Sequence, residues 1–198
     1  MPFVRRTGGK PTRPRSAACA RPPDRLPDGV VLRALTVHPD SRGALCEIFR
    51  ASWPDAGAMV QWNAVHSRPG VLRGFHVHPR HDDCLTIVAG RLFLGLRDLR
   101  AGSPTQGLCA ALWLEADHPA LVTIPRGVGH GFAFVEPSVH VYALDRYWDP
   151  ADELGCRWDD PALGIAWPVA APLLSERDAK AGSLAEMTAQ LQRALADA

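Results

Sequence analysis

Lysine is nearly missing from this 198-residue sequence: Lys10 and Lys180 are the only two, although lysine and arginine together number 22. The bias reads as codon composition rather than as function. Cysteine is sparse too. Its five copies are odd in number and include no Cys-x-x-Cys pair, which excludes a zinc finger and argues for reduced thiols. No apolar run approaches the length of a membrane span, and no charged stretch leads into an apolar signal-like core. The expectation is a soluble, cytoplasmic protein without a membrane partner. Helical periodicity is confined to residues 183–197, where Leu184, Met187, Leu191 and Leu195 recur at three- and four-residue steps. No internal repeat is visible.

What is present favours strands. A hydrophobic fraction of 46% can build a globular core, and 18 prolines and 17 glycines suit many short strands joined by turns. The net charge of +1 is unevenly spread. Residues 1–29 are basic and proline-rich with few large apolar side chains, too little to offset ordering entropy, so a disordered tail is expected there. Aromatic residues are not interleaved with its arginines, and no nucleic-acid partner is expected.

From residue 30 to 198 one domain is read. Its strands run over residues 29–37, 44–49, 59–65, 71–78, 84–89, 91–99, 108–114, 120–124 and 138–144, with another after the turn Pro125-Arg-Gly-Val-Gly-His130-Gly-Phe132. The segments flanking Gly90 read as a hairpin. His140 and Tyr142 share one strand face. The fold class is all-β: a jelly-roll barrel with a short C-terminal helix packed on the sheet or on a partner, and a disordered N-terminal tail.

The motifs fall in order along the chain. They are Asp40-Ser-Arg42-Gly43 with Glu47; Gln61-Trp-Asn63; Gly70-Val-Leu-Arg73-Gly74-Phe-His76; Asp98-Leu-Arg100 with Gly102-Ser-Pro-Thr-Gln-Gly107; Ile124-Pro125 to Phe132; Tyr142 with Tyr147; Asp159-Asp160-Pro161 with Trp167-Pro168; and Ser175-Glu-Arg-Asp178. Together, over residues 31–182, they resemble the dTDP-4-dehydrorhamnose 3,5-epimerase family, whose members are cupin-type jelly rolls. The resemblance implies a homodimer without a cofactor, acting on a nucleotide-linked 4-keto-6-deoxy sugar. Such chemistry needs a base on one face of the sugar, an acid on the other and stabilisation of an enolate. By resemblance, His76 is the base, Asp178 its orienting carboxylate and Tyr142 the proton donor. Arg73 and His130 line the sugar pocket with Gln61, Asn63 and Tyr147. Arg42 and Glu47 contact the nucleotide from the neighbouring subunit.

Two positions depart from the family pattern: His78 stands where a Gln is usual, and Asp83 where a Lys is usual. An ionised carboxylate opposes enolate formation. The spacing of His76, His78, Asp83 and His130 also resembles the two-part motif of metal-binding cupins, a mixed nitrogen and oxygen set suited to a divalent metal. His78 and Asp83 are therefore either a simple His–carboxylate pair or metal ligands. His81 is read as part of an exposed loop with Arg80 and Asp82. Two further readings stand beside the epimerase: a metal-dependent cupin isomerase or dioxygenase using those four residues, and a catalytically silent sugar-nucleotide-binding protein.

Overall fold

The computed structural model of the protein describes residues 25–196. Most of the expected tail lies outside the described residues. Its last part, residues 25–29, is docked rather than free. Leu26 packs on the core, the Arg25 guanidinium donates to the Pro104 carbonyl at 3.3 Å, and the Asp28 N–H donates to Thr105 Oγ1 at 2.8 Å.

Two antiparallel sheets face each other. The first runs β1 (Val31–Ala34), β9 (Ala120–Ile124), β6 (Asp83–Ala89), β11 (Ser138–Leu144), β4 (Gln61–Ser67). The second runs β12 (Leu154–Gly155), β5 (Leu72–Val77), β10 (Val128–Ala133), β7 (Arg91–Asp98), β8 (Cys109–Glu115). A separate ribbon of β2 (Val37–Asp40) and β3 (Gly43–Cys46) turns at Ser41-Arg42 and is exposed along nearly all its length. Period-two alternation sorts the side chains. In β7, Leu92, Leu94 and Leu96 point between the sheets onto Leu85, Ile87 and Leu112, while Phe93 points outward against Trp113 and Trp167.

The hairpin reading at Gly90 is overturned. β6 pairs with β9 and β11, whereas β7 pairs with β8 and β10, so the chain crosses at Gly90 from one sheet to the facing one. Gly90 has φ +73°, and a Cβ there would lie 2.5 Å from the Pro137 carbonyl oxygen. Alternating strands around a glycine look alike in sequence whether they pair with each other or switch sheets.

The outer face of the second sheet is covered by the C-terminal segment. A single-turn helix α1 (Glu176–Ala179) is capped by Ser175, whose Oγ accepts from the Asp178 N–H at 3.1 Å. Helix α2 (Leu184–Ala196) opens with a capping box: Ser183 Oγ accepts from the Glu186 N–H at 3.2 Å, and Glu186 Oε2 accepts from the Ser183 N–H at 2.7 Å. Its Leu184, Met187 and Leu191 bury against Phe75, Val77 and Leu99. This is the expected docking helix, and it packs on the sheet.

Asp98 anchors the β7–β8 connection. It is fully buried and accepts from Ser103 Oγ at 2.6 Å, Thr105 Oγ1 at 2.5 Å and the Arg100 guanidinium at 2.8 Å. Burial pushes its carboxyl up, but the hydrogen bonds from Arg100, Ser103 and Thr105 outweigh burial and hold it well below the usual carboxylate range. A depressed carboxylate contributes fully above its unfolded pKa of about 4 and loses that contribution as pH falls toward the folded value. Asp98→Asn is expected to lower the unfolding free energy by about 3 kcal/mol at neutral pH in urea titrations. The gap between variant and parent should narrow steadily below about pH 4; a gap that persists there would contradict the ionised cluster.

Candidate active site

The site begins with an irregularity in β5. His76 pairs with His130 and Arg73 with Phe132, so three steps along β5 match two along β10. The extra residue reverses the alternation. Leu72, Phe75 and Val77 face the outer clusters, while Arg73, His76 and His78 all line the interior. The bulge needs Gly74, at φ +113°, because a Cβ would fall 2.9 Å from Gly131 Cα and 3.0 Å from the His130 carbonyl oxygen. It also turns the Gly74 N–H toward Asp178 Oδ2, at 3.5 Å.

The interior holds a cavity of about 730 Å³ lined from both sheets and from α1. His76 Nε2 lies 2.7 Å from Asp178 Oδ1 and its Nδ1 3.4 Å from Glu153 Oε1. Arg177 bridges to Glu153 at 2.8 Å, and its Nη2 also sits 2.8 Å from His76 Nε2. The Trp148 indole N–H donates to Glu153 at 2.8 Å. Burial pushes the Asp178 carboxyl up, and hydrogen bonds from His76 and Ser175 more than reverse this. Burial likewise raises Glu153, but Arg177, His76 and Trp148 bring it down to about 2. Both carboxylates flanking His76 are therefore ionised. Tyr142 lies on β11 beside Leu85 and Asn63, facing the cavity. Burial, then the charges of Asp83 and Glu153, raise its phenol above the ordinary value, which keeps it protonated.

Deeper in the cavity lies a second group. Asp83 Oδ2 is 3.7 Å from His78 Nε2, 3.8 Å from His81 Nε2 and 3.8 Å from His130 Nε2. All four residues are buried. Burial holds His78 well below its ordinary value and His130 at about 3, and it pushes Asp83 up. His81 is not in an exposed loop, as its neighbours Arg80 and Asp82 suggest: it is 2% exposed, and its Nδ1 lies 2.6 Å from Asp152 Oδ2. His76 stands apart from this group, bound to Asp178.

Comparison with known proteins fits the geometry. The profile of the family described as dTDP-4-dehydrorhamnose 3,5-epimerase matches residues 25–186. This chain belongs to that family. A dTDP-4-dehydrorhamnose 3,5-epimerase of Neisseria gonorrhoeae is 37% identical over 161 residues, 77% of this chain; the match spans about half, 49%, of that relative's own length. Among solved structures, the epimerase RmlC of Legionella pneumophila, in complex with dTDP-4-keto-L-rhamnose, superposes with a TM-score of 0.77 at 30% identity, covering 83% of this chain and 92% of that one. ChmJ of Streptomyces bikiniensis, a 3'-monoepimerase in complex with dTDP-quinovose, superposes with a TM-score of 0.74 at 30% identity, covering 86% of this chain and 97% of that one.

Within this family member, the residues read from the sequence divide into three places. His76, Asp178, Tyr142, Arg73 and His130 meet at the cavity. Gln61 and Asn63 lie on β4, hydrogen-bonded to each other at 3.2 Å, and Gln61 Oε1 accepts from the Trp148 N–H at 2.8 Å. Arg42, Glu47 and Tyr147 are not among the residues lining the cavity. Arg42 pairs with Asp40 at 2.6 Å on the ribbon, Glu47 with Arg50 at 2.5 Å, and Tyr147 is 78% exposed. The sequence reading missed Glu153, Asp152, Trp148 and Arg177. Arg177 sits beside Asp178 in a quoted motif. Asp152 and Glu153 follow an Asp-Pro turn with no periodicity to flag them.

The bulge makes Gly74 a sharp test. Gly74→Ala is expected to destabilise the fold by about 2 kcal/mol or more, through positive φ and the close approach of β10. Thermal and urea unfolding would measure this, and a neutral substitution would contradict the bulge as described.

Proposed function

We propose that this chain epimerises a nucleotide-linked 4-keto-6-deoxy sugar, of the dTDP-4-dehydro-6-deoxyglucose type, in deoxysugar biosynthesis. The observation that carries the reading is the His76–Asp178 pair at 2.7 Å, set in a cavity opposite a protonated Tyr142. The carbonyl at carbon 4 acidifies the protons on its neighbouring carbons. His76 removes one, and Asp178 holds the ring and stabilises the imidazolium that forms. Glu153, at Nδ1, adds a second carboxylate to that imidazolium. Tyr142 returns a proton from the opposite face. Arg73 and His130 bound the sugar. No cofactor enters these proton transfers.

The remaining assignments are part of the same proposal. The catalytic unit is a single domain, residues 30–198. Arg42 and Glu47 serve the nucleotide across a homodimer, since the exposed β2–β3 ribbon carries the arginine outward from its own subunit's cavity. Gln61, Asn63 and Tyr147 complete the substrate surround. No helix among the described residues is long and apolar enough to cross a membrane. The proposed compartment is the cytoplasm, in keeping with the free thiols Cys46, Cys84, Cys109 and Cys156. Inversion at one carbon is the narrower reading. Asp83, in place of a lysine, withdraws a cation from the enolate, and the similar ChmJ is a 3'-monoepimerase.

Incubation with dTDP-4-keto-6-deoxyglucose in heavy water, followed by proton NMR, tests this. Deuterium is expected at carbon 3 or carbon 5. Asp178→Asn and Tyr142→Phe are expected to lower formation of the inverted product about 100-fold or more, with substrate affinity changed less than about fivefold. Tight binding of the sugar nucleotide by the parent protein without deuterium uptake would overturn the epimerase reading in favour of a silent binding protein.

A further inference from the structure

We propose that His78, Asp83 and His130 form a binding site for one divalent first-row cation, of the zinc, iron, manganese or nickel class, with His81 stacked on His78 beside them. The residues His78, His81, Asp83 and His130 are 7%, 2%, 5% and 4% exposed. The site is separate from the His76–Asp178 pair, shares only His130 with the proposed sugar surround, and does not depend on the epimerase reading.

The hydrogen bonds around the imidazoles carry the argument. His81 Nδ1 faces Asp152 Oδ2 at 2.6 Å, His78 Nδ1 faces the Asp152 carbonyl oxygen at 3.3 Å, and His130 Nδ1 faces the Val128 carbonyl oxygen at 3.4 Å. Each of these oxygens is an acceptor, so each Nδ1 carries the proton and each Nε2 presents its lone pair. The three Nε2 atoms lie 3.7–3.8 Å from Asp83 Oδ2, and the His78 and His81 rings are stacked with centroids 4.0 Å apart. None of the three lone pairs lies within hydrogen-bond distance of Asp83, whose carboxyl burial pushes up. His81 Nε2 is a buried atom without a hydrogen-bond partner. A buried arrangement of acceptors alone is costly unless something positive joins it.

The spacing suits a cation. With metal–ligand bonds of about 2.1 Å, tetrahedral ligand atoms lie about 3.4 Å apart. The ligand atoms of His78, Asp83 and His130 lie within 4.8 Å of one another, so modest side-chain movement closes them. Nδ1 bonded to a carboxylate or carbonyl is the usual outer shell of a metal-binding histidine. Two imidazole nitrogens and one carboxylate oxygen form a borderline donor set, which selects the stated class over magnesium or calcium. His76 is not a member, because its Nε2 is occupied by Asp178 at 2.7 Å. The bound cation would bring positive charge to Asp83. If the epimerase reading holds, that restores positive charge beside the enolate at the position where the family pattern has a lysine.

The test is cation binding on the full chain, stripped with a chelator and titrated with Co²⁺, read by its visible d–d absorption. One Co²⁺ per chain is expected to bind saturably. Asp83→Asn and His130→Ala should each weaken binding about tenfold or more, and Asp152→Asn about tenfold, whereas His76→Asn should change it less than about twofold. Thermal denaturation identifies any variant that fails to fold, and Asp152→Asn, outside the ligand set, then carries the comparison. Absence of a saturable band in the parent protein would overturn the proposal. So would loss of binding in His76→Asn with retention in His130→Ala. None of these readouts requires turnover, so failure here is distinct from failure of the epimerase reading.

Discussion

The one-residue bulge in β5 is the constraint from which the site follows. An unbroken strand would place Arg73 and His76 on opposite faces, because they are three residues apart. With the extra residue, Arg73, His76 and His78 all enter the barrel, and Leu72, Phe75 and Val77 remain outside under the C-terminal segment. The same bulge offers the Gly74 N–H to Asp178. That carboxylate comes from α1, a single turn held by the Ser175 cap. Packing on the outer face and chemistry on the inner face are thus fixed by one local event.

The cavity divides its histidines by their partners. His76 is held between two ionised carboxylates, Asp178 and Glu153, with Arg177 across them. His78, His81 and His130 turn the other way, with Nδ1 on oxygens and Nε2 toward Asp83. One short stretch serves both groups. Asp149 caps the 3-10 turn Pro150–Asp152, Asp152 then bonds His78 and His81, and Glu153 reaches His76. His76 is bonded to Asp178, and it is His78, His81 and His130 whose Nε2 atoms lie 3.7–3.8 Å from Asp83.

Much of the fold was legible from periodicity and turn residues. The strands at 120–124 and 138–144 stand where alternation put them, and the terminal helix has the expected apolar stripe. Gly90 was misread because alternation is the same on either side of a sheet switch. β12, two residues long, has no period to detect. The His76–Asp178 contact joins residues 102 apart, so it was accessible only through family resemblance. His81 was hidden by polar neighbours: Arg80 and Asp82 suggest an exposed loop, yet Asp152, 71 residues on, draws the imidazole inward. The Arg73 and His76 spacing was legible as a motif but not as geometry, since a bulge leaves no periodic signal beyond a glycine.

The central claim is that the cavity's histidines are split by tautomer, one group for proton transfer and one for a cation. A long-range nitrogen–proton NMR spectrum of the imidazole rings, recorded on chelator-stripped protein near neutral pH, tests it directly. The account predicts a protonated Nε2 on His76, and protonated Nδ1 with bare Nε2 on His78, His81 and His130. A bare Nε2 on His76, or protons at Nε2 on the other three, would contradict it.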